Sequence, residues 1–263
     1  VAGIVTVAKT ANIVLLDGGE VYWDHSAGAA HYKRGADRDF FLGTVVGDAA
    51  AADTTCKVNL NVRPNYDISL GDGFRTLMIL TSGTPRMLPN GRAGVQATFS
   101  ATAEAQKIDA LTNEGFGKAA NAIVEARITV VDGGDNAALD INVGVASGTH
   151  ATDADQIANS LFVHMDGNST NINLESDDAT TEVAATDTTL DYTAGTPIDV
   201  WFDLRNPADI QCYVNGALVL ADTVFTLAAA TDPLKLLIHM EKTADDTTAN
   251  VAVDWLRARI AQK

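Results

Sequence analysis

Alternation of apolar and polar residues, repeated in segment after segment, constrains this chain more than any other feature. Val124, Ala126, Ile128 and Val130 alternate with Glu125, Arg127 and Thr129. Leu139, Ile141, Val143 and Val145 alternate with Asp140, Asn142 and Gly144. Ile198, Val200, Phe202 and Leu204 alternate with Asp199, Trp201 and Asp203, and Leu234, Leu236, Ile238 and Met240 alternate with Lys235, Leu237, His239 and Glu241. A period of two sends successive side chains to opposite sides of an extended strand, so each segment has one face to bury. A buried helix would need a period near 3.6. Several such strands separated by polar turns predict an all-β sandwich or barrel.

Turn chemistry sharpens this reading. Asn215-Gly216 stands between Ile210–Val214 and Ala217–Leu220, and Asn-Gly favours the type I′ turn of a two-residue hairpin. Asp166-Gly167-Asn168 separates Leu161–Met165 from Asn171–Glu175 in the same way. In the last segment Val251, Val253 and Trp255 fit one face but Leu256, Ala258 and Ile260 fit the other, which a bulge or a doubly covered strand explains. Residues 101–111 fit a short helix or, on the alternation of Ala103, Ala105 and Lys107, an edge strand; strand is the preferred reading. Residues 176–196, rich in Asp, Thr and Ala, read as an exposed loop or weak edge strand.

The first part carries shorter β segments: Gly3–Ala8, Ile13–Leu16, Glu20–Trp23, Phe40–Val46 and Cys56–Val62, with turn clusters such as Asp17-Gly18-Gly19 between them. Short strands this dense predict a small barrel or curled sheet. Gly, Pro and Asn cluster from Thr81 to Gly91 and mark the expected boundary. The expected division is a small domain over 1–80, a linker over 81–94 and a sandwich over 95–263. Charge divides the chain similarly. The net charge is −16, yet Lys/Arg and Asp/Glu number nine each over residues 1–95 and nine against 25 thereafter. An acidic lobe repels nucleic acid, and a neutral one can approach another protein surface; no nucleic acid partner is expected. No run of about 18 apolar residues crosses a bilayer, and Val1–Leu16, with Lys9 in its middle, is not expected to act as a secretory signal.

No enzyme constellation stands out. The GxSxG, HExxH and GxxxxGK[ST] patterns are absent, so the chain is expected to be non-enzymatic and to need no cofactor. Asp199 and Asp203 share a strand face with Trp201 between them. An acid pair beside a stacking ring fits a sugar site, and a solvated strand face fits the same letters; hydrolysis needs two carboxyls roughly 5 to 9 Å apart, and the Glu-x-Asp-x-x-Glu pattern is absent. Asp132, Asp135, Asn136 and Asp140 cluster in one loop, Asp153 and Asp155 in another. They are candidate calcium ligands, read as turn formers, so no metal site is expected. The five histidines show no ligand spacing, and Cys56 and Cys212, with no metal-binding motif, read as buried free thiols.

Two resemblances follow from these residues. The run Ile198-Asp-Val-Trp-Phe-Asp-Leu, Ile210-Gln-Cys-Tyr-Val-Asn-Gly, Leu234-Lys-Leu-Leu-Ile-His-Met and Val251-Ala-Val-Asp-Trp-Leu resembles the closing half of a concanavalin A-like, laminin-G-like jelly roll. Asp17-Gly-Gly-Glu-Val-Tyr-Trp, Phe41-Leu-Gly-Thr-Val-Val-Gly-Asp-Ala and Cys56-Lys-Val-Asn-Leu-Asn-Val resemble a family of small phage proteins encoded beside capsid genes, some of them like head decoration proteins. These resemblances imply a small β-barrel-like domain followed by a jelly-roll sandwich, and a homotrimer that binds the major capsid protein on the outside of a virion. The capsid contacts would be Val1, Ala2, Gly3, Ile4 and Val5 of the first strand and Lys33, Arg34 and Arg38 of the basic loop. The competing expectation is a carbohydrate-binding module or adhesin that contacts a host glycan through Trp201, Asp199 and Asp203.

Overall fold

The computed structural model describes residues 3–70, 76–82, 86–90, 94–100, 103–243 and 247–260. They form an all-β chain, with one short 3-10 turn at Ala154–Gln156. The strands are β1 (Ile4–Ala8), β2 (Glu20–Asp24), β3 (Ala29–His31), β4 (Phe40–Val45), β5 (Thr55–Leu60), β6 (Ile68–Leu70), β7 (Thr76–Ser82), β8 (Arg86–Asn90), β9 (Gly94–Phe99) and β10 (Gln106–Thr112). They continue as β11 (Ala122–Asp132), β12 (Leu139–Ala146), β13 (Ser160–Asp166), β14 (Asn171–Asp177), β15 (Glu182–Asp191), β16 (Ile198–Asp203), β17 (Gln211–Val214), β18 (Ala217–Val219), β19 (Lys235–Lys242) and β20 (Ala249–Ile260). No helix among the described residues is long and apolar enough to cross a membrane.

The chain divides into two compact units, Val1–Tyr66 with Tyr213–Leu218, and Asp67–Cys212 with Val219–Lys263. The first holds a five-stranded sheet in the order β1-β5-β4-β2-β3. A bridge between Lys9 and Ala30 joins its two edges, so the sheet curls towards a small barrel. Ile13, Leu15, Val21, Val45, Cys56 and Val58 fill its interior. Ile13–Leu16, expected as a strand, contributes only the single bridge Leu15–Ala49, whereas β3 was not legible in so short a run. Asn215 (φ 50°) and Gly216 (φ 85°) are both left-handed, as the two central residues of a type I′ turn require, and the Gly216 carbonyl accepts the Val14 N–H.

Two further antiparallel sheets hold the remaining strands, all of which belong to the second unit except Tyr213–Leu218 of β17, β18 and the turn between them. One runs β15-β14-β13-β12-β19-β10-β7; the other runs β18-β17-β16-β11-β20-β9-β8, with β6 also pairing with β20. The alternating apolar sets are buried as expected: Val124 to Val130, Leu139 to Val145, Ile198 to Phe202 and Leu236 to Met240. The change of face in the last strand is a bulge. Arg127 pairs with Trp255 and Ile128 with Val253, leaving Asp254 as the extra residue. Val251, Val253, Leu256 and Ala258 are therefore buried together, and Trp255 does not share their face. Residues 106–112 are strand, and β15 is the mostly exposed edge of its sheet.

The expected linker over 81–94 needs correction. The first compact unit ends at Tyr66, and Ser82, Arg86–Asn90 and Gly94 lie in β7, β8 and β9. Gly, Pro and Asn punctuate the ends of short strands as readily as they mark linkers. Pro89, which has no N–H to donate, stands in β8 at the edge of its sheet, where proline is tolerated.

Candidate functional site

The residues expected from the sequence fall in separate places. Val1 and Ala2 lie outside the described residues. Gly3 and Ile4 are exposed and Val5 half-buried at the start of β1. The basic loop is shaped by buried Asp39, whose carboxylate accepts the N–H groups of His25, Gly35 and Ala36. The His25 N–H bond is the main cause that holds its pKa below the ordinary value. Arg34 folds back onto the carbonyls of Ala36 and Asp37, Lys33 lies over the Tyr32 ring at 5.3 Å, and Arg38 is exposed.

Asp199, Trp201 and Asp203 do share one face of β16, in register with Arg127, Glu125 and Ile123 of β11. Both carboxylates already have partners. Asp199 is buried and takes a two-pronged pair from Arg127, at 2.7 and 3.0 Å. Asp203 accepts from Arg205 at 2.8 Å. Beside them Glu125 accepts from Arg257 and Arg259, and the Trp255 ring has Arg127 4.2 Å and Arg257 4.7 Å from its centre. These charges pair with one another, as buried charges must, although Arg259 Nε has no hydrogen-bond partner among the described residues.

The other sheet carries a polar layer that is largely buried: Asp109, Asn142, His164, Asn173, His239 and Glu241 are each less than a tenth exposed. Cross-strand register aligns Asp109, His239, Asn142, His164 and Asn173 in one row across β10, β19, β12, β13 and β14. The neighbouring row is Lys107, Glu241, Asp140 and Asp166. All stand on the side opposite Ile141, Ile238 and Val163, so the alternation that builds the core also builds this face. The connection after β12 adds Asp153 and Asp155, and Ala154 and Ile157 anchor it on Leu111, Ala146, Phe162 and Leu237. Asp153 caps the 3-10 turn by accepting the Asp155 N–H.

His164 is the hub. Its Nδ1 lies 3.1 Å from Glu175 Oε2 and 3.3 Å from Asp155 Oδ1, and its Nε2 lies 2.9 Å from Asp166 Oδ1. Burial opposes protonation of this imidazole, but the hydrogen bonds to Asp155 and Glu175 and the Glu175 charge outweigh it, and the pKa is pushed up to about 12. The ring is an imidazolium that donates from both nitrogens. Burial pushes Glu175 and Asp140 up to about 7, against the pull of His164. Asp155 moves the other way: its burial cost is overcome by bonds to His164 and Asn142, and its pKa is lowered. Asn142 Nδ2 donates to Asp155 at 2.9 Å and Glu175 at 2.7 Å. Perturbed groups gathered on one face mark a candidate site with a stated physical cause. Asp155 and Asp166 keep 35% and 39% of their side-chain surface open, and Asp155 also lines an open pocket with Ser160, Glu175, Ser176, Asp177 and Glu182.

Asp132, Asn136 and Asp153 form turns as expected, accepting the N–H groups of Gly134, Ala138 and Asp155, but the structure regroups the loop acids. Asp140 belongs with Asp153, and their carboxylate oxygens lie within 4.8 Å of each other and of Glu241. Asp132 instead accepts from Thr248, and Asn136 from the Ala138 N–H. His164, His239, Asp109, Asn142, Glu175 and Glu241 were not singled out as a site. A signal existed: Lys107-x-Asp109, Asp140-x-Asn142, His164-x-Asp166, Asn173-x-Glu175 and His239-x-Glu241 each put two polar groups on the non-core side of a strand.

The sequence matches no protein-family model and no curated protein. The fold does have solved counterparts. The carbohydrate recognition domain of Emp47p matches with a TM-score of 0.51 at 9% identity, over 74% of this chain and 94% of that one. The potassium-bound form of the Emp46p carbohydrate recognition domain matches with a TM-score of 0.51 at 7% identity, over 76% of this chain and 100% of that one. Its metal-free form gives 0.50 at 7% identity, over 74% and 97%. At these identities the likeness is one of fold. The fold is that of an all-β jelly-roll sandwich.

Proposed function

We propose that this chain is a non-enzymatic carbohydrate-binding protein whose ligand lies on the polar face around His164. One observation carries the reading: a buried row of polar side chains runs unbroken across five strands, from Asp109 to Asn173, and holds the partly open carboxylates of Asp155 and Asp166 at its edge. Sugar hydroxyls are donors that need acceptors held in fixed positions, and carboxylates anchored by an imidazolium and an amide meet that need without reorganising. The likeness to domains named for carbohydrate recognition supports the same reading. Glycan-array binding by the labelled chain, followed by titration of the best ligand, is the test. Saturable binding is expected; silence across a broad array sinks the reading.

A second reading concerns the first unit, where Ile4 is 60% exposed and Phe40 52% exposed in a sheet with little net charge. Exposed apolar groups without like-charge repulsion favour docking on a protein surface. The partner proposed for that docking is the major capsid protein of a tailed phage, with the chain as a trimer on the virion exterior and the sandwich free to meet a host glycan. Co-pelleting with DNA-free expanded capsids tests it: saturation at a threefold stoichiometry is expected, and no co-pelleting removes this reading while leaving the carbohydrate one standing.

A further inference from the structure

The polar row is buried although it stands on the side of its sheet away from the core. One segment, the strap of residues 147–159 between β12 and β13, reaches four of its strands. Ala154 and Ile157 pack on Leu111 of β10, Leu237 of β19, Ala146 of β12 and Phe162 of β13. Asp155 accepts from Asn142 at 2.9 Å and lies 3.3 Å from His164 Nδ1. The His150 carbonyl accepts from Lys107, and an oxygen of Asp153 comes within 4.8 Å of Asp140 and Glu241.

The backbone of the strap is tied to itself and not to the sheet. Its ends meet at a neck, where the Ser147 N–H donates to the Asn159 carbonyl and the Ser147 hydroxyl to the Ala158 carbonyl. Inside it the Gln156 and Ile157 N–H groups donate to the carbonyls of Asp153 and Ala154. Among the described residues no backbone hydrogen bond runs from 148–158 to a strand. Ala151, Thr152, Gln156 and Ala158 are exposed, and Asn159 at the neck is left-handed at φ 68°. A compact loop with close ends, held down by a few side chains, can rise about its neck without breaking a ladder bond.

Beneath it stand two acceptors without donors. His239 lies on β19 between Leu237 and Glu241, and its cross-strand partner Asn142 lies on β12 between Asp140 and Ala146, all residues that the strap reaches. Both are fully buried. Asp109, 2.7 Å from His239 Nδ1, holds the ring proton there and leaves the lone pair on Nε2. Neither that nitrogen nor Asn142 Oδ1 has a hydrogen-bond partner among the described residues. Hydroxyl groups are the donors that such acceptors take.

We propose that the strap is a gate, which pivots at Ser147 and Asn159, uncovers Asn142 and His239 and admits a ligand whose hydroxyls donate to them. Reclosure returns Asp155 to the ligand, so the gate sets the rates of entry and exit. The gate stands on the geometry of the strap; that the ligand is a glycan rests on the carbohydrate reading above.

Thiol labelling of the full native chain tests the gate without any ligand. Cys56 and Cys212 are buried elsewhere, so their labelling reports wider unfolding. Ala146→Cys, beneath the strap, is expected to label roughly a hundredfold faster than Cys212, and adding Ile157→Ala to raise that rate roughly tenfold. Leu237→Cys, a second position beneath the strap, should behave alike, whereas Val145→Cys, on the core side of β12, should label as slowly as Cys212. Labelling beneath the strap no faster than at Cys212 would overturn the gate, whatever the chain binds. With a glycan taken from the array, Ile157→Ala is expected to raise the association and dissociation rate constants together, several-fold each; unchanged rates would also overturn it. Gated labelling in a chain that binds no glycan supports the gate and counts against the carbohydrate reading alone.

Discussion

Glu175 and His164 meet across the β13–β14 pair at 3.1 Å, both buried, and each sets the protonation of the other. Burial raises Glu175 to about 7, while hydrogen bonds and charge raise His164 to about 12. Both groups are therefore more protonated in the folded chain than in the unfolded one. Asp140, also raised to about 7, acts in the same direction.

That relationship fixes the sign of a pH dependence. The contribution of Glu175 is complete below its ordinary value near 4.5 and disappears as pH rises through about 7. The contribution of His164 is complete below about 6.5 and fades as pH rises towards about 12. Stability falls with pH wherever the native state binds more protons. The melting temperature is expected to drop by several degrees between pH 5 and pH 8, and Glu175→Gln should flatten that slope. A melting temperature that rises over this interval contradicts the assignment.

The opposite sheet depends on Glu125, which is buried and serves both Arg257 and Arg259. Removing one member of a buried ion pair leaves the other desolvated without compensation and costs about 3–5 kcal/mol. Glu125→Ala is expected to lower the melting temperature by roughly 10 °C, read by calorimetry. A loss of only a degree would mean that the two arginines find water or another acceptor.

Gly144 lies in β12 between Leu237 and Phe162. A Cβ there would collide with the carbonyl oxygen of Leu161 on the neighbouring strand. Backbone cannot yield as a side-chain tip does, so Gly144→Ala is expected to destabilise the second unit by about 1–3 kcal/mol, the usual cost of overfilling a packed site. Chemical denaturation followed by tryptophan fluorescence measures it. Unchanged stability would show that the β12–β13 pair is looser than its register implies.

The core was legible in the sequence because burial on one face leaves a period of two, and the Asn215-Gly216 turn because few residue pairs tolerate two left-handed conformations. The last strand was half legible: the clash between Val253 and Leu256 announced an irregularity, but only the pairing with Arg127 and Ile128 shows that Asp254 is the extra residue. The boundary between units was misread, because Gly, Pro and Asn punctuate strand ends and linkers alike. That Ile68 pairs with Ala258 is a fact of distant register that no local pattern carries. The polar face failed for the same reason. His239 and Asn142 are cross-strand partners nearly a hundred positions apart, so each strand announced two polar groups but none announced whose neighbours they would be.

The most direct measurement of the central claim is the affinity of the best array ligand for three chains: the wild type, Asp155→Asn with Asp166→Asn, and Trp201→Ala. The first substitutions alter partly open carboxylates on the His164 face; the last removes the ring on the other sheet that the sequence alone had singled out. The account predicts at least a tenfold loss of affinity for the double substitution and little change for Trp201→Ala, with all three chains folded by circular dichroism. Loss confined to Trp201→Ala would contradict it and move the glycan to the face that carries Asp199 and Asp203.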